Sequence, residues 1–90
     1  MSEGNWYVYI LRCSDNTLYT GVTTDCTRRL SEHNHSPRGS RYTRARRPVT
    51  LAYHEEAACR STAQQREAQI KRLNAAQKEA LIASAMAATA

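Results

Sequence analysis

The 90-residue sequence lacks several features that would assign it at once to a broad class of protein. It has no apolar run near the roughly 18 residues needed to cross a bilayer, and its start, MSEGNW, has no basic-then-apolar leader. Its three cysteines are odd in number and never in C-x-x-C spacing, so a disulfide framework or a structural zinc site has little support. The chain is also too short for two independent cores.

These absences predict the organisation of the chain and its surroundings. We expect a single domain over residues 1–90, with a core over about 5–82 and a frayed end over 83–90. Unpaired cysteines and the lack of a leader favour a reducing cytoplasm and no membrane partner. Trp6, Leu81 and Ile82 are expected in the core rather than in a dimer seam, so we expect a monomer or a weak homodimer.

Lysine is scarce as well, although the chain is basic. Thirteen Lys and Arg residues against eight Asp and Glu give a net charge of +5, and only Lys71 and Lys78 are lysines. Because guanidinium groups bind phosphate through two hydrogen bonds and stack on bases, the arginine excess favours a nucleic-acid partner. A GC-rich genome would produce the same excess, and composition does not separate the two causes.

The charge is concentrated in one segment. Between Arg28 and Arg47 there are seven arginines and a single acid, Glu32. Such a segment, with an aromatic residue among its cations, suits a phosphate backbone and a base that stacks on the ring. A solubilising loop is the alternative interpretation. The candidate nucleic-acid-binding residues are Arg28, Arg38, Arg41, Tyr42, Arg44, Arg46 and Arg47.

The hydrophobic pattern predicts a small α/β domain of the α+β type, in the order β-β-α-β-α-α. It places a hairpin at 6–11 and 18–23, a helix from Cys26 to about His35, a third strand at 49–55, a helix from Ser61, and another at 75–86. Thr24 and Asp25 are the predicted N-cap of the first helix, and Ser61 with Gln64 a capping box. The predicted fold is a three-stranded antiparallel or mixed sheet flanked by helices, with a basic connector at 40–47 that has room for a single helical turn.

The predicted hairpin contains three tyrosines and a glycine that are candidates for a site. Tyr7 and Tyr9 share a strand face, and Tyr19 should lie near them on the partner strand. Cross-strand aromatic pairs are ordinary sheet stabilisers, so these residues alone have a structural explanation. Gly21 within a strand indicates a bulge or a close approach of the backbone.

Two later positions have both a chemical and a structural interpretation. Arg29 and His33 lie one helical turn apart and could bind one phosphate, whereas an Asp25–Arg29 ion pair on a solvated face is the alternative. Glu67 could be the lone carboxylate of a Mg²⁺ site that shares substrate phosphate oxygens. A surface ion pair with Lys71, four residues later, is the other interpretation, and spacing does not decide between them.

The order of these features resembles the GIY-YIG nuclease superfamily, above all its small single-domain bacterial members of poorly characterised function. The resemblance covers residues 5–82. It rests on five blocks in order: Tyr7-Val8-Tyr9, Leu18 to Asp25 with Tyr19-Thr20-Gly21, Arg28-Arg29-Leu30, Glu32-His33-Asn34, and Glu67 to Lys71.

The resemblance implies a role for each matched residue. Tyr9 and Tyr19 would both belong to the active site, with Tyr19 activating or orienting the attacking water. Arg29 would stabilise charge on the scissile phosphate, and His33 would assist by hydrogen bonding or proton transfer. Glu67 would be the one protein ligand of a single Mg²⁺ or Mn²⁺ ion. Gly21 would be a structural residue of the site that permits close approach at the sheet edge.

The resemblance implies a metal-dependent endonuclease that cleaves nucleic acid, with structured or damaged DNA favoured over RNA and DNA repair as a setting. The family's first glycine and isoleucine are Tyr7 and Val8 here, and its second isoleucine is Thr20. Many members also carry an asparagine in or near the last helix, and Asn74 matches that position poorly. A nucleic-acid-binding module that cleaves weakly or not at all is therefore the alternative, and a protein-interaction domain would leave the arginines unexplained.

Overall fold

The structure, a computed structural model, describes residues 5–89, and describes their side chains as far as Met86. Its elements follow the predicted order, and the basic connector contains the single helical turn that the sequence allowed. They are β1 (Trp6–Arg12), β2 (Leu18–Thr23), α1 (Cys26–His35), α2 (Arg41–Arg44), β3 (Thr50–Ala57), α3 (Arg60–Lys71) and α4 (Ala75–Thr89).

The three strands form one antiparallel sheet in the order β2-β1-β3, as the α+β prediction required. The β1–β2 hairpin turns at Asn16, whose φ of 69° lies in the left-handed region that asparagine tolerates well. The turn is held by Asp15 Oδ1, which accepts hydrogen bonds from the backbone N–H and the hydroxyl of Thr17. β1 and β3 pair with a register irregularity between Ile10 and Leu11.

Each face of the sheet has its own core because alternate side chains of β1 point to opposite faces. Val8 and Ile10 pack with Ala63 and Ile70 of α3 and with Ile82 of α4. On the other face, a second hydrophobic cluster lies between the sheet and α1. Its buried members are Tyr9, Leu11, Cys13 and Val49, and Tyr19, Cys26, Leu30 and Leu51 pack against them. The functional candidates of the hairpin belong to this second face.

The helix ends confirm some predicted caps and correct others. Asp25 caps α1 as predicted, since its carboxylate accepts a hydrogen bond from the Arg28 N–H. The predicted Ser61 capping box is wrong, because α3 begins at Arg60 and its N-cap, Cys59, makes no side-chain cap hydrogen bond. The reciprocal pair lies at the start of α4 instead, between Asn74 and Gln77 at 2.8 and 2.9 Å.

The last helix extends past its predicted end at about Met86. Residues 83–89 continue α4 as far as Thr89, and Ala90 lies outside the described residues, so the frayed end over 83–90 stays a prediction. Two features account for the continuation. Alanine has the highest helix propensity, and Ile82, 5% exposed, anchors the preceding turn in the core. Trp6 and Leu81 also pack against that core, as expected.

Two of the predicted absences concern cysteine and the membrane. Cys13, Cys26 and Cys59 are all free thiols in the structure. Over residues 5–89, no helix has both the length and the apolar character needed to span a bilayer.

Candidate active site

The hairpin register brings Tyr9 and Gly21 directly opposite each other, with Leu11 opposite Tyr19. Tyr9 is 2% exposed, and its ring lies over Gly21. A Cβ atom on residue 21 would stand 2.6 Å from Cζ of Tyr9, so only glycine leaves room for the ring. The close approach predicted from Gly21 is therefore present, and the group that approaches is the Tyr9 side chain.

His33 of α1 lies completely buried beneath this hairpin. Its Nε2 is 2.9 Å from the Tyr9 hydroxyl, and its Nδ1 is 2.8 Å from the Thr43 hydroxyl. The Ser40 backbone N–H also donates to Nδ1, at 3.3 Å. An Nδ1 that accepts a hydrogen bond leaves the proton of the neutral ring on Nε2, from which it is donated to Tyr9.

Burial keeps both members of the Tyr9–His33 pair uncharged. It raises the pKa of Tyr9 to about 12, against the opposing effect of the nearby Arg29 guanidinium. It lowers the pKa of His33 to about 4, and the positive charge of Arg29 lowers it further. At neutral pH the pair is therefore a phenol and a neutral imidazole.

Arg29 lies beside this pair but not in the predicted ion pair with Asp25. Its guanidinium donates to Glu32 at 2.9 Å and to the backbone carbonyl of Arg38 at 2.9 Å, and its positive charge lowers the pKa of Tyr9 against the larger effect of burial. The pKa of Glu32 is lowered, mainly by that hydrogen bond from Arg29. Because the guanidinium is held by α1 and the following loop, it presents a fixed positive charge next to the Tyr9 hydroxyl.

Tyr19 occupies the open side of the same histidine. Its ring contacts His33 edge-on, with centroids 5.3 Å apart, and lies nearly parallel to the ring of Tyr42 at 6.1 Å and 22°. The guanidinium of Arg46 covers Tyr42 at 3.8 Å from the ring centroid. Tyr19 is half-buried and Tyr42 is exposed, so the stack leads from the buried histidine to the surface.

Glu67 reaches the site from α3. Its carboxylate forms the predicted ion pair with Lys71, at 3.2 Å. Its negative charge also acts on Tyr9, where it contributes to the raised pKa of that phenol. The surface ion pair of Glu67 is therefore present, and the electrostatic effect of the carboxylate extends to the Tyr9 hydroxyl.

The basic segment divides into structural arginines and exposed ones. Arg47 donates to the backbone carbonyls of His33 and Ser36, both at 2.6 Å, and so caps the end of α1. Arg46 pairs with Asp15 at 3.0 Å and stacks on Tyr42. The exposed arginines of the segment are Arg28, Arg38, Arg41 and Arg44. Arg46 and Arg47, both predicted to contact nucleic acid, thus have structural contacts of their own.

Sequence reasoning missed Ser40 and Thr43. Thr43 is fully buried, its hydroxyl contacts His33, and the Ser40 hydroxyl accepts a hydrogen bond from the Thr43 backbone N–H as the N-cap of α2. The local signal was a serine three residues before a threonine at the start of a short helix. Their contact with His33, seven and ten residues earlier, depends on how α2 packs against α1.

The comparisons with known proteins point to one family. The model of the GIY-YIG catalytic domain matches residues 5–80. A relative from Desulfotalea psychrophila, named UPF0213 protein, is 53% identical over 77 residues, which cover 86% of this chain and 70% of the relative. One of that name from Halobacterium salinarum is 53% identical over 75 residues, 83% of this chain and 96% of the relative.

Two solution NMR structures share the fold. The UPF0213 protein of Bacillus halodurans has a TM-score of 0.56 and 40% identity, over 88% of this chain and 83% of that one. A protein of E. faecalis has a TM-score of 0.61 and 41% identity, over 89% and 84% of the two chains. A family model that spans most of the chain, together with these relatives, supports a nuclease-type function in general. By sequence and by fold, the chain belongs to the GIY-YIG family.

Proposed function

We propose that the protein is a metal-dependent endonuclease that hydrolyses phosphodiester bonds in nucleic acid, with DNA as the preferred substrate. The observation that carries the proposal is the convergence of Tyr9 and Tyr19 on one buried histidine, with Arg29 beside Tyr9. Hydrolysis of a phosphodiester needs an oriented water and a cation against the charge that develops on phosphate. The exposed arginines of residues 28–44 add an electrostatic attraction for the backbone.

In this proposal the two tyrosines have different tasks. Tyr19, half-buried at the open side, orients the attacking water through its hydroxyl. Tyr9 is a neutral phenol that accepts a hydrogen bond from His33, so its own proton is directed to another acceptor in the site. His33 acts by hydrogen bonding and by holding Tyr9, because its low pKa leaves it neutral at the pH of the reaction.

Glu67 is the residue proposed to hold the metal. Over residues 5–89, no three His, Cys, Asp or Glu side chains form a cluster that could hold a metal ion. A lone carboxylate fits Mg²⁺ nonetheless, because Mg²⁺ keeps several waters and takes further oxygens from a phosphate. Such an ion supplies positive charge at the scissile phosphate when it is bound. Arg29 supplies a second positive charge from the protein, on the Tyr9 side of the site.

One observation favours the alternative of a binding module with little or no catalysis. Asn74 is the residue that was compared with the family's late asparagine. Its side chain caps α4 by accepting a hydrogen bond from the Gln77 backbone N–H. Its amide is thus already used in a structural role. The two candidate functions are separated by an assay of DNA cleavage in the presence of Mg²⁺ or Mn²⁺.

The test is cleavage of supercoiled plasmid, single-stranded DNA and branched DNA in Mg²⁺ or Mn²⁺. We expect cleavage by the wild type, and a loss of at least 100-fold in Glu67→Ala and Tyr19→Phe. Arg60→Gln is the matched control, since Arg60 is exposed at the opposite end of α3 and should leave the rate unchanged. Substrates that stay intact, or variants that cut as the wild type does, would refute the nuclease proposal. Binding that weakens with salt would then support the binding module.

A further inference from the structure

A pocket of about 260 Å³ opens beside Tyr19, at the edge of the sheet formed by β2. It lies outside the Tyr9–His33–Thr43 contacts and takes its walls from β2, α2, α3 and α4. The residues that line it are Leu18, Tyr19, Thr20, Tyr42, Lys71 and Lys78. Because Tyr19 belongs to both, the pocket adjoins the proposed catalytic centre directly.

The pocket contains the only two lysines of the chain. Lys71 is exposed, and its ammonium reaches the carboxylate of Glu67 at 3.2 Å. Lys78 is half-buried, and within the described part of the chain it forms no ion pair. The neighbouring acid, Glu79, accepts two hydrogen bonds from Arg12 at 2.7 Å. Lys78 therefore presents an uncompensated positive charge to this pocket, which suits an anionic ligand.

The aromatic wall of the pocket is held in place. Tyr42 is 37% exposed and lies nearly parallel to Tyr19, while Arg46 covers part of its ring. Arg46 is itself fixed by Asp15 at 3.0 Å and by the Tyr42 carbonyl at 2.9 Å. An aromatic surface that is already ordered loses little entropy when a flat ligand stacks against it.

Thr20 also lines the pocket, but it is 3% exposed and its hydroxyl is buried. Because that hydroxyl has no accessible surface, it does not contact a ligand that occupies the pocket. Lysine charge and an ordered ring together match a phosphate attached to a flat, polar ring.

We propose that this pocket binds one unpaired nucleotide next to the scissile phosphate, with its base against Tyr42 and its phosphate against Lys71 and Lys78. The inference rests on the proposed nuclease function and names the substrate class as a strand that is single-stranded at this point. In a duplex the faces of a base are covered by its neighbours, so a tyrosine ring reaches a base only where the base has left the stack. The pocket volume is below the roughly 300 Å³ at which drug-sized sites begin, so it suits a single nucleotide.

The test measures binding without cleavage, in EDTA, by fluorescence anisotropy over a series of salt concentrations. The ligands are a labelled single-stranded DNA 12-mer and a blunt duplex made from that strand and its complement, which has no unpaired nucleotide. The proteins are the wild type, Tyr42→Ala, Tyr42→Phe, Lys78→Gln and the control Arg60→Gln, each checked for folding by its thermal unfolding midpoint. Lys78→Gln keeps the proposal testable should Tyr42→Ala fold poorly.

We expect Tyr42→Ala to weaken single-strand binding about 5- to 150-fold, and Tyr42→Phe to retain it, because stacking needs the ring and not the hydroxyl. Lys78→Gln should lower the slope of log affinity against log salt by about 0.7, the value for one phosphate contact to a single strand. Arg60→Gln should change neither quantity. Equal losses on the blunt duplex, or effects of Tyr42→Ala and Lys78→Gln no larger than that of Arg60→Gln, would refute the proposed nucleotide pocket.

The outcome is independent of the nuclease assay. If the wild type cleaves nothing in Mg²⁺ while these binding effects are found, the nuclease function fails and the nucleotide pocket stands. If the wild type cleaves and the binding effects are absent, the pocket fails and the nuclease function stands.

Discussion

The two tyrosines of the candidate active site lie in contrasting surroundings although they belong to one hairpin. Tyr9 is 2% exposed and hydrogen-bonded to His33, whereas Tyr19 is half-buried and rests against His33 with the edge of its ring. The first belongs to a closed network that fixes positions and keeps its groups neutral. The second stands between that network and an open, positively charged pocket. One region of the molecule thus provides order, and the other is available for contact with a ligand.

The closed region depends on contacts that converge on one side chain. His33 is bound from two sides, by Tyr9 of the sheet and by Ser40 and Thr43 at the start of α2. Arg47 ties the end of α1 to the residues that precede β3. The open region has mainly a stack of rings and an arginine at the surface. Substitutions should therefore reduce the free energy of unfolding in the first region and ligand binding in the second.

The largest expected effect tests this contrast directly. His33→Ala should lower the free energy of unfolding by about 3 kcal/mol, because it creates a buried cavity and leaves the Tyr9 and Thr43 hydroxyls without their partner. Tyr42→Ala, at the exposed end of the stack, should cost less than about 1 kcal/mol. Urea unfolding at pH 7.5, followed by circular dichroism, measures both. Equal losses in the two variants would remove the distinction between the regions.

A pair of variants at Thr43 separates its hydroxyl from its packing. Thr43→Ser keeps the group that contacts Nδ1 of His33, and Thr43→Val keeps the volume and removes the hydroxyl. Because this hydrogen bond holds His33, the serine variant should cleave DNA faster than the valine variant. The valine variant should also show a shifted pH dependence of the cleavage rate. Identical pH profiles would mean that Thr43 serves packing alone.

A further prediction is a pH dependence of stability that originates in the closed region. The folded-state pKa of His33 is lowered to about 4 from an ordinary value of 6.5, so the unfolded chain binds the proton more readily between these values. Stability from this group is full above pH 6.5 and is lost as the pH falls toward 4. Between pH 7.5 and pH 5 the expected loss is about 2 kcal/mol.

The measurement is urea unfolding at half-unit pH steps from 7.5 to 5. His33→Gln provides the control, because a side chain that does not titrate should remove most of the slope in this interval even where the variant is less stable. A wild-type stability that stays flat between pH 7.5 and pH 5 would contradict the buried, neutral state of His33.

The smallest expected effect concerns two arginines of the same segment. Arg47→Ala should lower the free energy of unfolding by about 1 kcal/mol, since the carbonyls at the end of α1 lose their donor. Arg44→Ala, at an exposed position, should leave stability within about 0.5 kcal/mol and weaken DNA binding in low salt. Urea unfolding and anisotropy on both variants sharpen the comparison. The reverse pattern would place Arg47 among the phosphate contacts and Arg44 among the structural residues.

Sequence reasoning located the elements well because their signals are local. The aromatic and branched residues that predict β1 and β2, and the acid that caps α1, act over a few neighbouring residues. The bounds of β2 and α1 are those expected. The capping box predicted for α3 was wrong for a local reason as well. Ser61 with Gln64 and Asn74 with Gln77 have the same capping chemistry, so the sequence pattern does not distinguish them. Tertiary packing determines where each helix begins.

The residues of the candidate site could be named from the sequence, but their contacts with one another could not. Tyr9, Arg29 and His33 could be named from the order of motifs, but the alternative that paired Arg29 with Asp25 is wrong, since the partner of Arg29 is Glu32. The basic segment illustrates the same limit. Its seven arginines are alike by composition, and only the turn of the chain between α1 and β3 makes Arg47 a helix cap and leaves Arg44 exposed.

By itself, the sequence determined the secondary structure, the positive charge and the order of the motif blocks, because propensities, alternation and composition act over short distances along the chain. The tertiary structure decided which polar groups meet. It put His33 between Tyr9 and Thr43, which are 24 residues away on one side and 10 on the other. It also brought the two lysines to Tyr19. Those contacts depend on how helices pack on both faces of a twisted sheet, and no local pattern contains that information.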